Sequence, residues 1–114
     1  MKLVSLQGKI IDGIGASTIW MPEYLPHLYP GTLNVQLTEI KWDKIVWEHE
    51  VPTHYGKPVK YSRCQINGIE AYVIMPPLFN SKKTPFLIEL GHEKKLRDLL
   101  NLENGDSVKV TFKD

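Results

Sequence analysis

The chain has 114 residues, enough for one small hydrophobic core, and we expect a single domain over residues 1–114. Its hydrophobic fraction of 42% is that of a globular protein, and a net charge of +1 excludes a broad basic field for nucleic acid or anionic lipid. The single cysteine excludes an internal disulfide. Ser5, Gln7 and Gly8 interrupt the first segment, so it predicts neither a signal peptide nor a membrane span, and we expect a cytoplasmic monomer.

The first part of the chain predicts two strands separated by a long loop. Apolar residues alternate with polar ones up to Ile11, where the turn residues Asp12 to Gly15 end the first strand. Three prolines in the segment from Ser17 to Pro30 predict an ordered, irregular loop with at most one helical turn. The segment Thr32 to Thr38 alternates again and predicts a half-buried strand that leaves a Pro-Gly turn.

The rest of the chain predicts further strands and one helix. In order, we expect strands over 45–51, 59–66, 69–75 and 86–90, a helix over 92–102, and a last strand that contains Val108, Val110 and Phe112. Asn67-Gly68 is a hairpin signal, and the apolar strand after it is predicted to be buried on both faces. About six short strands with one helix predict a closed or nearly closed small β-barrel.

Two glycines follow the first strand, in the segment Gly13 to Thr18. Glycines allow backbone N–H groups to approach phosphate oxygens closely, and the hydroxyls of Ser17 and Thr18 are further donors. A lone G-x-G is also typical of a plain tight turn. The remaining residues of a P-loop or a dinucleotide fingerprint are absent, so neither of those sites is predicted.

Thr32 and Asn34 lie two positions apart on the second predicted strand. They therefore share one face and are roughly 7 Å apart along the strand. A hydroxyl and an amide carbonyl are hard oxygen ligands that suit Mg²⁺ when phosphates and waters complete its coordination. On spacing alone, an ordinary solvated strand face is the commoner meaning of such a pair.

Charged residues near the predicted helix form a third group of candidates. Lys94, Lys95 and Arg97 lie close to its start, which indicates either an anion site or a solvated basic face. Glu89 is a carboxylate in an otherwise apolar strand, and it indicates either an outward-facing edge charge or a hydrogen-bond acceptor for a ligand.

Five motifs occur in an order that resembles one family, the archaeal-type CTP-dependent riboflavin kinases. They are Gly13-Ile-Gly15, Pro30-Gly-Thr-Leu-Asn34, Ile88-Glu89, Lys95-Leu-Arg97 and Leu100-Asn-Leu-Glu-Asn-Gly-Asp106, and the resemblance covers nearly the whole chain. It implies a six-stranded cradle-loop (RIFT-type) barrel with one short helix in its C-terminal half. It also implies transfer of the γ-phosphate of CTP to the 5′-hydroxyl of riboflavin, which gives FMN and CDP.

The resemblance also implies roles for particular residues. The nucleotide would be bound by Gly13, Ile14, Gly15, Ala16, Ser17, Thr18, Lys94, Lys95, Leu96 and Arg97; Mg²⁺ by Thr32 and Asn34; and the flavin by Glu89 and by either Ser81 or Thr84. Phosphoryl transfer depends mainly on positioning and charge neutralisation, so no general base is assigned.

The chain departs from the family's pattern at two places. Ala16, Ser17 and Thr18 stand where the family has an acidic residue, a glycine and an aromatic residue, and His92-Glu93 replaces an Ala-Pro pair. The extra β-carbon of residue 17 and the charge of residue 93 predict weaker nucleotide binding than in a member with the complete loop. Two alternatives stay open: a non-catalytic flavin- or nucleotide-binding barrel, and a DNA-binding barrel, against which the near-neutral charge argues.

Overall fold

Seven strands and two helices form the part of the protein that a computed structural model describes, which is residues 3–13, 17–38, 45–77 and 87–113. In chain order they are β1 (Leu3–Ile11), α1 (Ser17–Tyr24), β2 (Leu33–Leu37), β3 (His49–Val51), β4 (Val59–Ile66), β5 (Ile69–Met75), β6 (Leu87–Gly91), α2 (Leu96–Leu99) and β7 (Ser107–Lys113). All the strand pairs are antiparallel.

Six of the strands close into a ring. The sheet order is β3-β4-β5-β6-β2-β1-β7. The last strand, β7, also pairs with β4, and this pairing closes the ring. The edge of β4 is shared, because its first residues pair with β3 and its last residues, Cys64 to Ile66, pair with β7. The predicted barrel is therefore confirmed, with β3 as a short addition outside the ring.

The β4–β5 turn helps to hold this closure. Asn67 and Gly68 both have positive φ, +49° and +83°, as a type I′ hairpin turn requires. The backbone N–H of Asn67 donates to the carbonyl of Lys109 at 2.9 Å, and its side-chain oxygen accepts from the Lys109 N–H at 2.9 Å. The hairpin predicted from Asn-Gly is thus present, and it is anchored to β7.

Side chains alternate between the barrel interior and its outer face. The interior holds Leu33, Val35 and Leu37 of β2 and Ile88 and Leu90 of β6, together with Leu6, Ile10, Ile45, Cys64, Ile66, Ala71, Val73, Leu96, Val108, Val110 and Phe112. Because successive strand residues point to opposite faces, the polar residues between them in β2 and β6 lie on the outside of the barrel.

A second apolar cluster covers part of that outer face. Trp20 and Met21 of α1 and two leucines of the following loop pack on Val59 and Ile74. The prediction of a largely irregular loop over 17–30 was wrong in its first half, because α1 has eight residues despite Pro22. Burial of its apolar side chains outweighs the local signal of the proline. Val73 faces the interior and Ile74 this cluster, so β5 is buried on both faces as predicted.

The strand predicted over 45–51 is shorter than expected, since only His49–Val51 pairs as β3. Its first half is held by a side chain instead of a backbone ladder. The buried Ser62 hydroxyl donates to the carbonyl of Val46 at 2.6 Å and accepts from the N–H of Glu48 at 2.7 Å.

The helix predicted over 92–102 was also too long, because α2 spans only Leu96–Leu99. Lys95 before it is extended (φ −64°, ψ 111°), and Asn101 after it has φ +53°, which ends the helical run. His92 instead forms a turn, in which its Nδ1 accepts from the Lys94 N–H at 2.9 Å. Neither helix in the described ranges is long and apolar enough to cross a membrane.

Candidate functional site

The Pro-Gly turn before β2 lies against α1. Gly31 has φ +122°, a conformation that side-chain-bearing residues rarely adopt, and its N–H donates to Met21 Sδ at 3.3 Å. A Cβ at this position would lie 3.5 Å from Thr18 Cγ2. This close approach brings Thr32 beside the first residue of α1, with the hydroxyl oxygens of Ser17 and Thr32 3.5 Å apart.

Asn34 and Glu89 are neighbours on the outer face of the barrel. They are direct partners in the β2–β6 register, and Ile11 of β1 and Ile74 of β5 flank them in the same row. Both polar side chains are half-buried. The structure therefore brings the predicted metal ligand Asn34 and the predicted flavin contact Glu89 into one place.

One oxygen of Glu89 accepts two hydroxyl hydrogen bonds. Thr32 Oγ1 donates to Glu89 Oε1 at 2.6 Å, and Ser17 Oγ donates to the same atom at 2.9 Å. Glu89 is thus an acceptor inside a polar cluster and not an isolated edge charge. The cluster joins a residue predicted for nucleotide, one predicted for metal and one predicted for flavin.

The first glycine of the predicted nucleotide segment Gly13 to Thr18, called the glycine loop below, lies against the polar cluster. This cluster consists of Ser17, Thr32, Asn34 and Glu89. A Cβ built at Gly13 would overlap the Asn34 side-chain amide. Since Gly13 is not among the positive-φ residues, its conformation does not require glycine. The close approach of the Asn34 amide does require it.

The polar groups of this cluster are suited to a hard divalent cation. A hydroxyl that donates its proton to a carboxylate keeps its oxygen lone pairs for a metal, and Thr32 is bonded to Glu89 in this way. Asn34 adds an amide carbonyl, and Glu89 adds a nearby negative charge that the two neutral ligands lack. Oxygen donors of this kind, together with substrate phosphates, suit Mg²⁺.

Arg97 lies at the end of β1, where the glycine loop begins. Its Nη2 donates to the carbonyl of Ile11 at 3.3 Å and lies 3.7 Å from Asp12 Oδ1. The side chain is only 28% exposed, so its stem is held while its charge stays at the loop. Asp12 was predicted only as a turn residue, although an acid directly before G-x-G was a signal for an ionic partner.

The other residues of the second predicted nucleotide stretch differ in burial. Lys94, Lys95 and the departing residue Glu93 are exposed. Leu96 is 4% exposed and its side chain packs in the barrel interior, so only its backbone is left for the predicted nucleotide contact, which stays a prediction.

Several predicted site residues lie outside the described residues. They are Ile14, Gly15 and Ala16 of the glycine loop and both candidate flavin hydroxyls, Ser81 and Thr84. Their roles stay predictions.

A closed six-stranded antiparallel barrel with this polar cluster on its outer face defines a class of small β-barrel domains. Within that class, the chain belongs to the family named CTP-dep_RFKase, described as "Domain of unknown function DUF120", whose model matches residues 21–112. The match includes Thr32, Asn34, Glu89 and Arg97, and it begins after the glycine loop.

Similar proteins are riboflavin kinases of archaea. The riboflavin kinase of Pyrococcus abyssi is 31% identical over 120 residues, and that of Methanocella arvoryzae is 32% identical over 125 residues. The alignments cover 90% and 94% of this chain but 56% of each relative, so the chain spans little more than half their length. The riboflavin kinase of Methanobrevibacter smithii is 29% identical over 125 residues, which cover 96% of this chain and 100% of that protein.

Proposed function

We propose that this protein is a CTP-dependent riboflavin kinase. The 5′-hydroxyl oxygen of riboflavin attacks the γ-phosphorus of CTP, a new P–O bond forms, and the bond between the γ-phosphorus and the β–γ bridging oxygen breaks. CDP leaves with that oxygen, FMN is the product, and the proton of the hydroxyl passes to solvent. Riboflavin kinases among the relatives support the acceptor, and the name of the family supports CTP as the donor.

The observation that carries this proposal is the convergence of Ser17, Thr32, Asn34 and Glu89 at one place. A kinase must hold a metal-bound triphosphate and an acceptor hydroxyl within bonding distance of each other. Thr32 donates to Glu89 at 2.6 Å, so a proposed metal ligand and the proposed flavin contact are joined by a hydrogen bond. In-line transfer requires the metal-bound triphosphate and the acceptor hydroxyl to lie close together, and neighbouring binding residues would hold them so.

The charges around the cluster support the same arrangement. Thr32 and Asn34 would hold Mg²⁺, which when bound neutralises phosphate charge and orients the triphosphate. Arg97 lies at the start of the glycine loop and would neutralise further charge on the phosphates. Glu89 would accept a hydrogen bond from riboflavin, and either Ser81 or Thr84 would supply the second flavin contact.

The direct test is chromatographic detection of FMN after incubation of the full chain with riboflavin, Mg²⁺ and each of CTP, ATP, GTP and UTP. We expect FMN with CTP and less with the other nucleotides. Omission of Mg²⁺ is expected to abolish the product. If riboflavin binds but no nucleotide yields FMN, the kinase proposal is wrong and the chain is a flavin-binding barrel.

A further inference from the structure

Ser17 is a buried polar residue at a position where the family's pattern has glycine. Its side chain is the first of α1 and is 5% exposed. Its hydroxyl donates to Glu89 Oε1 at 2.9 Å. A hydroxyl buried to this degree costs stability unless it has a partner, and the described partner is the carboxylate of the site.

The two hydroxyls hold one carboxylate oxygen and leave the other. Ser17 and Thr32 both donate to Oε1, and among the described residues Oε2 of Glu89 has no hydrogen-bond partner. Two donors on one oxygen restrict rotation of the carboxylate about its terminal bond. We propose that Ser17 is a positioning residue that, together with Thr32, fixes Glu89 so that Oε2 accepts a hydroxyl of the ribityl chain of riboflavin. This inference rests on the proposed function.

The serine therefore has a role that a glycine could not perform. Ser17 lies in a helix and is not among the positive-φ residues, so its backbone has no need of glycine. The sequence predicts that Ser17→Gly combined with Glu93→Gln improves the KM for the nucleotide and affects the KM for riboflavin less. The structure leads to the opposite expectation for flavin, because glycine removes one of the two donors that hold the carboxylate.

The inference also links the two substrates. Ser17 lies in the segment Gly13 to Thr18 that is predicted to bind the nucleotide, and Thr32 is a predicted metal ligand, yet both donate to the predicted flavin contact Glu89. A change at position 17 should therefore be detected mainly in riboflavin binding, although its place in the sequence suggests a nucleotide residue.

The test compares Ser17→Ala, Ser17→Gly and a matched control, Ser62→Ala. Ser62 is likewise buried, at 3% exposure, but it bonds Val46 and Glu48 away from the site. Riboflavin affinity is measured by fluorescence quenching, and the KM values for riboflavin and CTP by FMN formation. Loss of one hydrogen bond predicts a roughly two- to tenfold weaker riboflavin affinity in both Ser17 variants, with a smaller change in the CTP KM. Ser62→Ala is expected to keep the native riboflavin affinity.

A second measurement tests the hydrogen bond between Ser17 and Glu89 in the absence of any ligand. Urea unfolding of Ser17→Ala, Glu89→Ala and the double variant forms a double-mutant cycle, and we expect the two changes to be non-additive. Native or improved riboflavin binding in both Ser17 variants, or strictly additive unfolding effects, would overturn the inference. A chain that binds riboflavin in a Ser17-dependent way but forms no FMN overturns the kinase proposal alone and supports the positioning role.

Discussion

Asn34 on β2 and Glu89 on β6 are direct partners in the antiparallel register, on the outer face of the barrel. Their neighbours in sequence, Val35 and Ile88, are also paired, but these two side chains fill the interior. The same strand pair thus builds the core with one face and places an amide beside a carboxylate with the other. Substitutions on the outer face can therefore change ligand binding with little effect on the core.

Asn34→Ala tests the proposed metal-binding site. We expect weaker Mg²⁺-dependent binding of CTP, measured by titration calorimetry, because an oxygen ligand is lost. The free energy of unfolding should change little, by about 0.5 to 1 kcal/mol, because the side chain is only half-buried. Gln36→Ala is the control, since Gln36 is an exposed residue on the same face of β2. A large loss of stability with native CTP binding would show that Asn34 is structural.

Gly13→Ala tests the contact between the glycine loop and Asn34. The added methyl group would overlap the Asn34 amide, so we expect that side chain to move and the KM for CTP to rise. In an Asn34→Ala background the same substitution should have little further effect, because the overlapping group is gone. Equal effects of Gly13→Ala in the two backgrounds would contradict this account.

Glu89→Gln and Glu89→Ala separate the charge of the carboxylate from its hydrogen bonds. Gln keeps an oxygen that can accept from Ser17 and Thr32, so its stability should stay near the native value. Ala leaves both donors without this acceptor, and we expect a loss of about 1 to 3 kcal/mol in urea unfolding. Equal stability of the two variants would show that these hydrogen bonds contribute nothing measurable.

Arg97→Ala tests the cation at the glycine loop. We expect a higher KM for CTP with a smaller change in riboflavin affinity, because the guanidinium lies beside Ile11 and Asp12 and has no described contact with Glu89. Arg63→Ala is the control. The Arg63 side chain is 65% exposed, and its Nη2 lies 3.0 Å from Glu48 Oε2. Riboflavin binding lost in parallel with CTP binding would argue for a general structural role of Arg97.

Cys64 offers a test of the barrel interior. Burial raises the pKa of its thiol from 9.0 to about 12, so a thiol reagent at pH 8 should label it only after unfolding. The pKa of the thiol is higher in the folded chain than in the unfolded chain, so the folded state holds the proton more tightly. The stability that the protonated thiol contributes is therefore complete below pH 9.0 and is lost as the pH rises towards 12. Relative to Cys64→Ala, the native chain should lose about 1.4 kcal/mol of unfolding free energy per pH unit in that window. Rapid labelling of the folded chain would contradict burial.

Sequence reasoning identified the strands best where a local pattern was sufficient. Alternation in β2 and the Asn67-Gly68 turn depend on residues close in the chain, and both are present as predicted. Both errors in the helices come from features that a local hydrophobic pattern does not contain. Helix α1 depends on packing against β4 and β5, and the ends of α2 depend on backbone conformations at Lys95 and Asn101 that periodicity does not report.

For the site, the sequence by itself determined which residue types are present, and it predicted that Thr32 and Asn34 share one face because side-chain direction in a strand has a period of two. The structure places Thr32 directly before β2. Only the tertiary structure decided that Glu89 joins them and that Ser17 donates to it, because these contacts depend on the pairing of β2 with β6 and on the packing of α1 against the Gly31 turn. Register and packing bring together residues that are distant in sequence, and no local pattern contains that information.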